Sequence, residues 1–278
     1  MVTVTGQALW VIESHLTDDL SLERVAAAVG VSTFHLCRAF AASTGLPVAA
    51  YVRARRLSRA AEALAAGAPD ILDMALGAGY GSHEAFTRAF RQQFDTTPES
   101  VRAQRSTQLL NLQEPLRMNP TTLPSLAPAR IARHDAIMLV GLRQHYRAGG
   151  NAGIPSQWGS FAPHIGYIAS EVPHVSYGVV YNVDAENNFD YFCGVEVRKI
   201  TAMPEGCLRL DLKAQTYAVF FHEGHIAAIQ ATFRTIWESG LADAGVRPAN
   251  APVLERYDQR FDPRTGLGGF DILIPVDD

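Results

Sequence analysis

The chain has 278 residues, room for one large domain or two of the usual roughly 100–150 residues, and with 47% hydrophobic and 19% charged residues both halves can bury cores, which excludes a disordered chain. No apolar run reaches the roughly 18 residues of a membrane span, and the opening Met1-Val2-Thr3-Val4-Thr5-Gly6 lacks the basic-then-apolar order of a secretion signal, so a cytoplasmic protein with no membrane partner is expected. The net charge of −4 is unevenly spread: the first 117 residues balance eleven arginines against eleven carboxylates, with no lysine, and the acidity lies beyond them. Arginine suits phosphates and guanine edges, although genome composition alone can also produce such a set. Three scattered cysteines, Cys37, Cys193 and Cys207, form no CxxC pair and read as reduced thiols, not as a disulfide framework or zinc ribbon.

From Gln7 to about Arg105 apolar residues recur three and four apart in alanine-rich stretches without alternation, which predicts an all-α half. Within it, Leu22-Glu23-Arg24-Val25-Ala26-Ala27-Ala28-Val29-Gly30-Val31-Ser32 meets the needs of a tight helix-turn-helix. Ala26 lets two helices approach, Gly30 can take a positive φ, Ser32 caps the next helix, and Leu36 is its apolar anchor. The spacing returns at Ala75, Gly79 and Ser82, 49 residues on, with Phe86 and Phe90 as anchors. A lone Ala-x-x-x-Gly occurs in any helical hairpin; two copies, each with a serine cap, point to paired helix-turn-helix motifs.

The runs Val31-Ser32-Thr33-Phe34-His35-Leu36-Cys37-Arg38-Ala39-Phe40, Tyr51-Val52-Arg53-Ala54-Arg55-Arg56-Leu57, Gly79-Tyr80-Gly81-Ser82-His83-Glu84-Ala85-Phe86-Thr87-Arg88-Ala89-Phe90 and Thr97-Pro98 resemble the AraC/XylS family of transcription regulators over about residues 7–105. The resemblance implies seven helices, with two helix-turn-helix motifs joined by a long helix from about Pro47 to Ala66 and entering successive major grooves of double-stranded DNA. It departs at Asp95, where many members have glycine before the Thr-Pro, a change that affects one turn. By position, the first recognition helix presents Phe34, Cys37 and Arg38, and the second His83, Glu84, Thr87 and Arg88. Arg38 and Arg88 can bond guanine bidentately, Phe34 can meet a thymine methyl, and Glu84 can accept from cytosine N4. Cys37 stands where members often carry a polar side chain, so the first helix should lean on Arg38; the alternative for Phe34 is core packing. Arg53, Arg55, Arg56 and Arg59 on the joining helix are expected mainly to form a solvated face, with some near phosphate.

Periodicity fails from about Ser106, and Asn119-Pro120-Thr121-Thr122-Leu123-Pro124 with Pro128 reads as an extended linker. The expected division is a DNA-binding domain at 1–107, a linker at 108–128 and a second domain at 129–278. Strand-like runs follow at Ile137–Val140, Val175–Tyr181, Cys193–Val197, Leu208–Phe221 and Phe270–Val276, broken by helical segments at about Ile154–Ile168 and Ile226–Glu238. The second helix carries Ile226, Ile229, Phe233, Ile236 and Trp237 on one stripe that would cover a sheet. The pattern is β-α-β-β written twice, with Trp158 and Trp237 at comparable positions. It predicts an α+β domain with a long antiparallel sheet and a groove near a pseudo-twofold axis.

The segments Ile154-Pro155-Ser156-Gln157-Trp158, Tyr191-Phe192-Cys193-Gly194-Val195-Glu196-Val197, Thr216-Tyr217-Ala218-Val219-Phe220-Phe221-His222-Glu223-Gly224 and Val253-Leu254-Glu255-Arg256-Tyr257, with Ile272-Leu273-Ile274-Pro275-Val276, look like the GyrI-like effector-binding domain. That resemblance implies the same duplicated fold and a pocket that multidrug-sensing relatives use for cationic or amphipathic organic molecules. It thus implies a small-molecule effector, no cofactor, and RNA polymerase as the partner of the regulator. By position Glu255 matches the family's pocket glutamate. Alternation puts it beside Val253 and Tyr257, where a lone carboxylate is costly without a positive partner. A ligand cation would supply one, with Tyr257, Tyr217, Trp158 and Phe221 as candidate aromatic faces; the alternatives are an internal salt bridge, for instance with Arg256, or an exposed carboxylate. Glu196 is a weaker second candidate.

An enzymatic reading remains open beside this one, because some GyrI-like proteins hydrolyse small electrophilic compounds with a pocket glutamate and tyrosine. The DNA-binding half argues for a non-enzyme. His222-Glu223-Gly224-His225 has its histidines three apart, where a zinc-protease helix needs four, so no metal is expected. A third possibility is a C-terminal half that only associates with other proteins.

Overall fold

The computed structural model describes residues 3–18, 20–68, 70–116, 124–148 and 151–277. These form two compact units, residues 1–36 with 46–121 and residues 37–45 with 122–278. Among the described residues no single helix is long and apolar enough to cross a membrane.

The N-terminal part is helical throughout: α1 (Val4–Ser14), α2 (Leu22–Val29), α3 (Thr33–Thr44), α4 (Val48–Ala65), α5 (Ile71–Gly77), α6 (His83–Phe94) and α7 (Pro98–Gln104). Side-chain caps set the starts, since Thr3, Ser21, Asp70, Ser82 and Thr97 each accept a backbone N–H from the first turn of the helix that follows. Gly30 ends α2 at φ 79°, in the left-handed region where glycine avoids the Cβ penalty. Asp95 ends α6 in the same region at φ 54°, a conformation that the short polar side chain of aspartate tolerates. Around α4, Leu57, Ala61 and Leu64 pack with Ala75 and with Phe86, Phe90 and Phe94 of α6.

Two of the four arginines on α4 depart from the expected solvated face. Arg55 is buried: its Nε and Nη2 donate to the two oxygens of Glu13 at 2.8 and 2.9 Å, and its Nη1 donates to the Gln113 carbonyl at 2.6 Å. Arg56 donates to the carbonyls of Leu16 and Asp18, both at 2.8 Å. Arg53 and Arg59 are exposed. The linker expected from residue 108 also begins later. Leu110 and Leu112 pack on the helical core, the Gln113 N–H donates to Ser58 Oγ at 2.9 Å and the Leu116 N–H to Tyr51 Oη at 3.1 Å. Polar side chains on one face of α4 thus hold this strap, which no periodicity announces. The proline-containing run at 119–123 lies outside the described residues.

The C-terminal part is one antiparallel sheet of β1 (Arg130–His134), β2 (Ile137–Tyr146), β3 (Glu171–Tyr181), β4 (Phe189–Val197), β5 (Leu208–Leu212), β6 (Gln215–His222), β7 (Val253–Tyr257) and β8 (Phe270–Pro275). Its spatial order is β1-β6-β8-β7-β3-β4-β2-β5. The order is a palindrome of the two repeats about the β3–β7 junction, and it adds to β-α-β-β a short leading strand that pairs with the opposite repeat, β1 on β6 and β5 on β2. Sequence reading missed β1 and fused β5 with β6, because the two-residue break at 213–214 leaves one continuous run. One helix, α8 (Ile154–Phe161), follows β2 and ends seven residues before the expected Ile168; the other follows β6 as α9 (Ile229–Thr235), continuing through a π turn at Ile236–Gly240. The buried face of this second helix runs through Thr232, Thr235 and Ile236, so Ile226, Ile229 and Phe233 of the expected stripe are only half-buried.

The Glu13 carboxylate shows how the helical unit should respond to pH. Burial opposes its ionisation, but hydrogen bonds from Arg55 and Tyr51 outweigh that and hold its pKa below the ordinary value of 4.5. Its contribution to stability is therefore complete above that value and lost as pH falls through the lowered one. Urea unfolding should show a Glu13-dependent loss in this acid range that Glu13→Gln abolishes. At neutral pH Arg55→Ala should cost about 2 kcal/mol, below the roughly 3–5 of a fully buried pair because Glu13 keeps 25% of its side chain exposed.

Candidate functional site

The two helix-turn-helix motifs are built alike. Ser32 Oγ accepts the His35 N–H at 3.1 Å and Ser82 Oγ the Ala85 N–H at 3.2 Å, so each recognition helix starts at a serine cap. Ala26 and Ala75 are buried at the helix crossings, and Gly79 repeats the positive φ of Gly30 at 85°. Behind α6, Tyr80, Phe86, Phe90 and Phe94 pack in sequence, edge-on or tilted, with centroids 5.6, 5.5 and 4.8 Å apart. This fixes the rotation of α6, so that Glu84 and Arg88 are exposed while Phe86 and Phe90 are buried. Of the other candidates on this helix, Thr87 is half-buried, and His83 is bonded through Nε2 to Glu99 of α7 at 3.0 Å, which holds its ring at the helix start. On α3, Phe34, Cys37 and Arg38 are half-buried.

In the sheet, residues paired across strands share a face. Cys193, Gly178, Glu255 and Ile272 form one row across β4, β3, β7 and β8, so Glu255 lies beside the β3–β7 junction on the face covered by α8 and α9. The carboxylate is buried at 7% exposure. Its Oε2 accepts the hydroxyl of Tyr191 at 2.6 Å and that of Tyr257 at 2.9 Å, and Trp158 of α8 donates its indole N–H to the Tyr191 hydroxyl at 3.0 Å. Aromatic rings enclose the group: Tyr257 lies 5.4 Å from Trp158, 4.9 Å from Phe261 and 4.6 Å from Phe270, centroid to centroid. Gly178 makes the arrangement possible, because a Cβ there would press on both the Tyr191 hydroxyl and the Glu255 carboxylate. Burial raises the pKa of Glu255, only partly offset by the two tyrosine hydroxyls, and pushes both phenols well above their usual range, an effect that the nearby carboxylate reinforces.

The structure brings Trp158 and Tyr257 to Glu255 but not Tyr217 and Phe221. Both stand on the opposite face: Tyr217 packs with Tyr177 and Val179, and Phe221 pairs in register with Asp271 under the guanidinium of Arg260, 4.8 Å from its centroid. Their proximity in sequence to aromatic strand residues misled because alternation sends positions 217 and 221 away from 220 and 222. Arg256 also alternates to that face and bonds Asp258 at 3.0 Å, so it does not neutralise Glu255. Glu196 is there too, accepting from the Tyr177 hydroxyl at 3.3 Å. His222 spends its ring nitrogens on Thr232 Oγ1 at 2.8 Å and the His225 carbonyl at 3.2 Å. Sequence reading missed Tyr191, Phe261, Phe270 and Gly178. For Tyr191 a signal existed, since its spacing to Cys193 and Val195 puts it on the covered face of β4.

Paired helix-turn-helix motifs on a shared helix, followed by a duplicated sheet domain with a buried carboxylate, define a DNA-binding transcription regulator of the AraC type with a small-molecule-binding domain. The chain belongs to the GyrI-like small molecule binding domain family, which it matches over residues 128–277, more than half its length, and it matches a helix-turn-helix domain family over residues 25–104. It is 29% identical to the transcriptional regulator Rob of Salmonella typhimurium and 29% identical to the right origin-binding protein of Escherichia coli, over 96% of both chains in each case. It is also 35% identical to the transcriptional regulator BrlR of Pseudomonas aeruginosa, over 53% of this chain and 55% of that one.

The packing at Gly178 is open to direct test. Gly178→Ala should destabilise the protein by about 1–3 kcal/mol, as overpacking does. Gly159→Ala, in α8 with nothing within 4 Å of the added carbon, should instead be neutral or stabilising. Urea midpoints of the two variants, moving in opposite directions or only for position 178, check the assignment.

Proposed function

We propose that this protein is a sequence-specific regulator whose residues 1–107, with the strap that follows them, read double-stranded DNA through α3 and α6. In this reading the division lies within 108–128, and residues 129–278 sense a small cationic or amphipathic molecule at Glu255, with RNA polymerase as the protein acted on. The observation that carries the sensor assignment is the buried carboxylate, which has two phenolic donors and no cation among the described residues. Hydroxyls satisfy its lone pairs without supplying charge, so the site's remaining demand is for a positive group, and Trp158, Tyr257 and Phe261 offer faces for one. Relatives named as transcription regulators favour binding over hydrolysis at this glutamate.

For DNA, Arg38→Ala and Arg88→Ala should each lose about 1–3 kcal/mol of specific affinity and relax preference at one guanine, whereas Arg59→Ala should do less. Gel shifts on an operator and on random DNA check this. Equal losses on both would make the arginine a phosphate contact, and failure to shift any genomic fragment at low salt would remove the regulator reading.

For the effector, Glu255→Gln should weaken a lipophilic cation by about 1.5–3 kcal/mol, the worth of a hydrogen bond to a charged group, and leave a neutral isostere nearly unaffected. A cation binds the ionised carboxylate, and the folded pKa is raised, so its affinity should climb as pH rises through that value, with proton release visible as buffer-dependent heat. Trp158 fluorescence and calorimetry read both effects. Anions as the best ligands, or an unchanged cation affinity in the variant, would overturn the assignment.

A further inference from the structure

A cavity of about 310 Å³ lies within the helical unit where the start of α2, the first half of α4 and the turn between α5 and α6 meet. That volume is at the lower end of the roughly 300–1,000 Å³ of ligand pockets. Much of its wall is apolar, from Leu22 and Val25 of the first motif and Val48 and Val52 of α4. One corner differs, with Arg53, Arg56 and Tyr80 all lining it. The Tyr80 hydroxyl is buried without a hydrogen-bond partner among the described residues, while its ring is fixed edge-on to Phe86. Leaving such a group unsatisfied is unfavourable. Arg56 is held by the Leu16 and Asp18 carbonyls through Nε and Nη2, which leaves Nη1 beside Gly79, where an added Cβ would meet that nitrogen at 2.6 Å. Arg53 is exposed and holds no carboxylate among the described residues. Both charges lie close enough to the phenol to oppose the upward push of burial on its pKa.

Two guanidinium groups and one stranded hydroxyl make a corner rich in donors with no acceptor to match, at the edge of an apolar hollow. We propose that this cavity is a second ligand site, one for a small organic carboxylate: the anionic head accepts from Arg53, Arg56 Nη1 and Tyr80, and the apolar body lies against the valines of α2 and α4. None of the lining residues belongs to the proposed base-reading set. Because the walls come from both helix-turn-helix motifs and from the helix that joins them, an occupant ties the two motifs together and acts on DNA binding without involving the sheet domain.

The test uses benzoate as the probe and benzamide as its neutral isostere, titrated calorimetrically into the full chain at millimolar concentration. Benzoate should bind saturably and benzamide should not. Tyr80→Phe, which keeps the ring on Phe86, and Arg53→Gln, at an exposed position, should each weaken benzoate about tenfold or more. No saturable binding, equal binding of benzamide, or benzoate affinity unmoved in both variants would overturn the proposal. The same anion-binding chemistry could serve a DNA phosphate. Loss of random-DNA affinity in both variants, without benzoate binding to the parent chain, would assign the corner to the DNA backbone and overturn the small-molecule site.

Discussion

The sheet domain is organised around one expensive group, the carboxylate of Glu255. Burying an acid among aromatic rings is unfavourable unless its lone pairs are satisfied, and here two phenolic hydroxyls converge on a single oxygen, Oε2. Much of the local architecture follows from that convergence. Tyr191 can reach across β3 only because residue 178 has no side chain, and its orientation is fixed by the Trp158 indole above it. The two repeats contribute unequally, with Tyr191, Gly178 and Trp158 from the first and Glu255 and Tyr257 from the second, so the asymmetric site exists only where the pseudo-symmetric halves join. Hydrogen bonds stabilise the group without neutralising it, and its raised pKa expresses the difference.

The helical unit uses charge in the opposite way. On α4, Arg55 and Glu13 compensate each other, and Arg56 closes the carbonyls at the end of the first helical segment through Nε and Nη2, so Arg55 serves the scaffold alone while Arg56 keeps Nη1 free of that role. The contrast in pKa direction follows from the partner. Burial pushes both carboxyls up, but the Arg55 guanidinium and the Tyr51 hydroxyl outweigh it at Glu13, whereas at the more deeply buried Glu255 two neutral phenols offset it only in part. Because α4 is held by this ion pair and by the strap from Leu110 to Leu116, the helix that joins the two motifs is braced along one side.

How much of this could be read from the chain depends on the range of the interaction. The helix-turn-helix pair was legible because its determinants are local: small residues at crossings, glycines at positive φ and serine caps fall at fixed spacings, and the structure places each in its expected role. The duplicated sheet and the burial of Glu255 beside Tyr257 were legible from alternation. What was not legible needed register. The row that puts Gly178 opposite Glu255, and so admits Tyr191, spans three strands far apart in sequence, and no local signal encodes it. Tyr217 and Phe221 were misplaced for the same reason: an aromatic strand announces that rings are present, but its face is set by which partner it pairs with. The burial of Arg55 was equally hidden, since its partner Glu13 is 42 residues away on another helix.

The closed state of the carboxylate also constrains how a sensor built on it could work. A ligand shifts a conformational equilibrium only by its difference in affinity for the two states. With Glu255 at 7% exposure and Tyr257 at 6%, a cation cannot touch the carboxylate in this conformation, so a state that bound one would have to differ by movement of the surrounding rings. Of the groups bonded or stacked there, Trp158 is the one on a helix; the tyrosines belong to strands paired on both sides and can move less. Opening the site by way of Trp158 breaks its bond to Tyr191 and its contact with Tyr257, and displaces α8 while the sheet remains intact. On the proposed reading, the charge that makes Glu255 costly to bury is thus what would favour the opened state once a cation arrives, and α8 would be the element through which that preference becomes a change of shape.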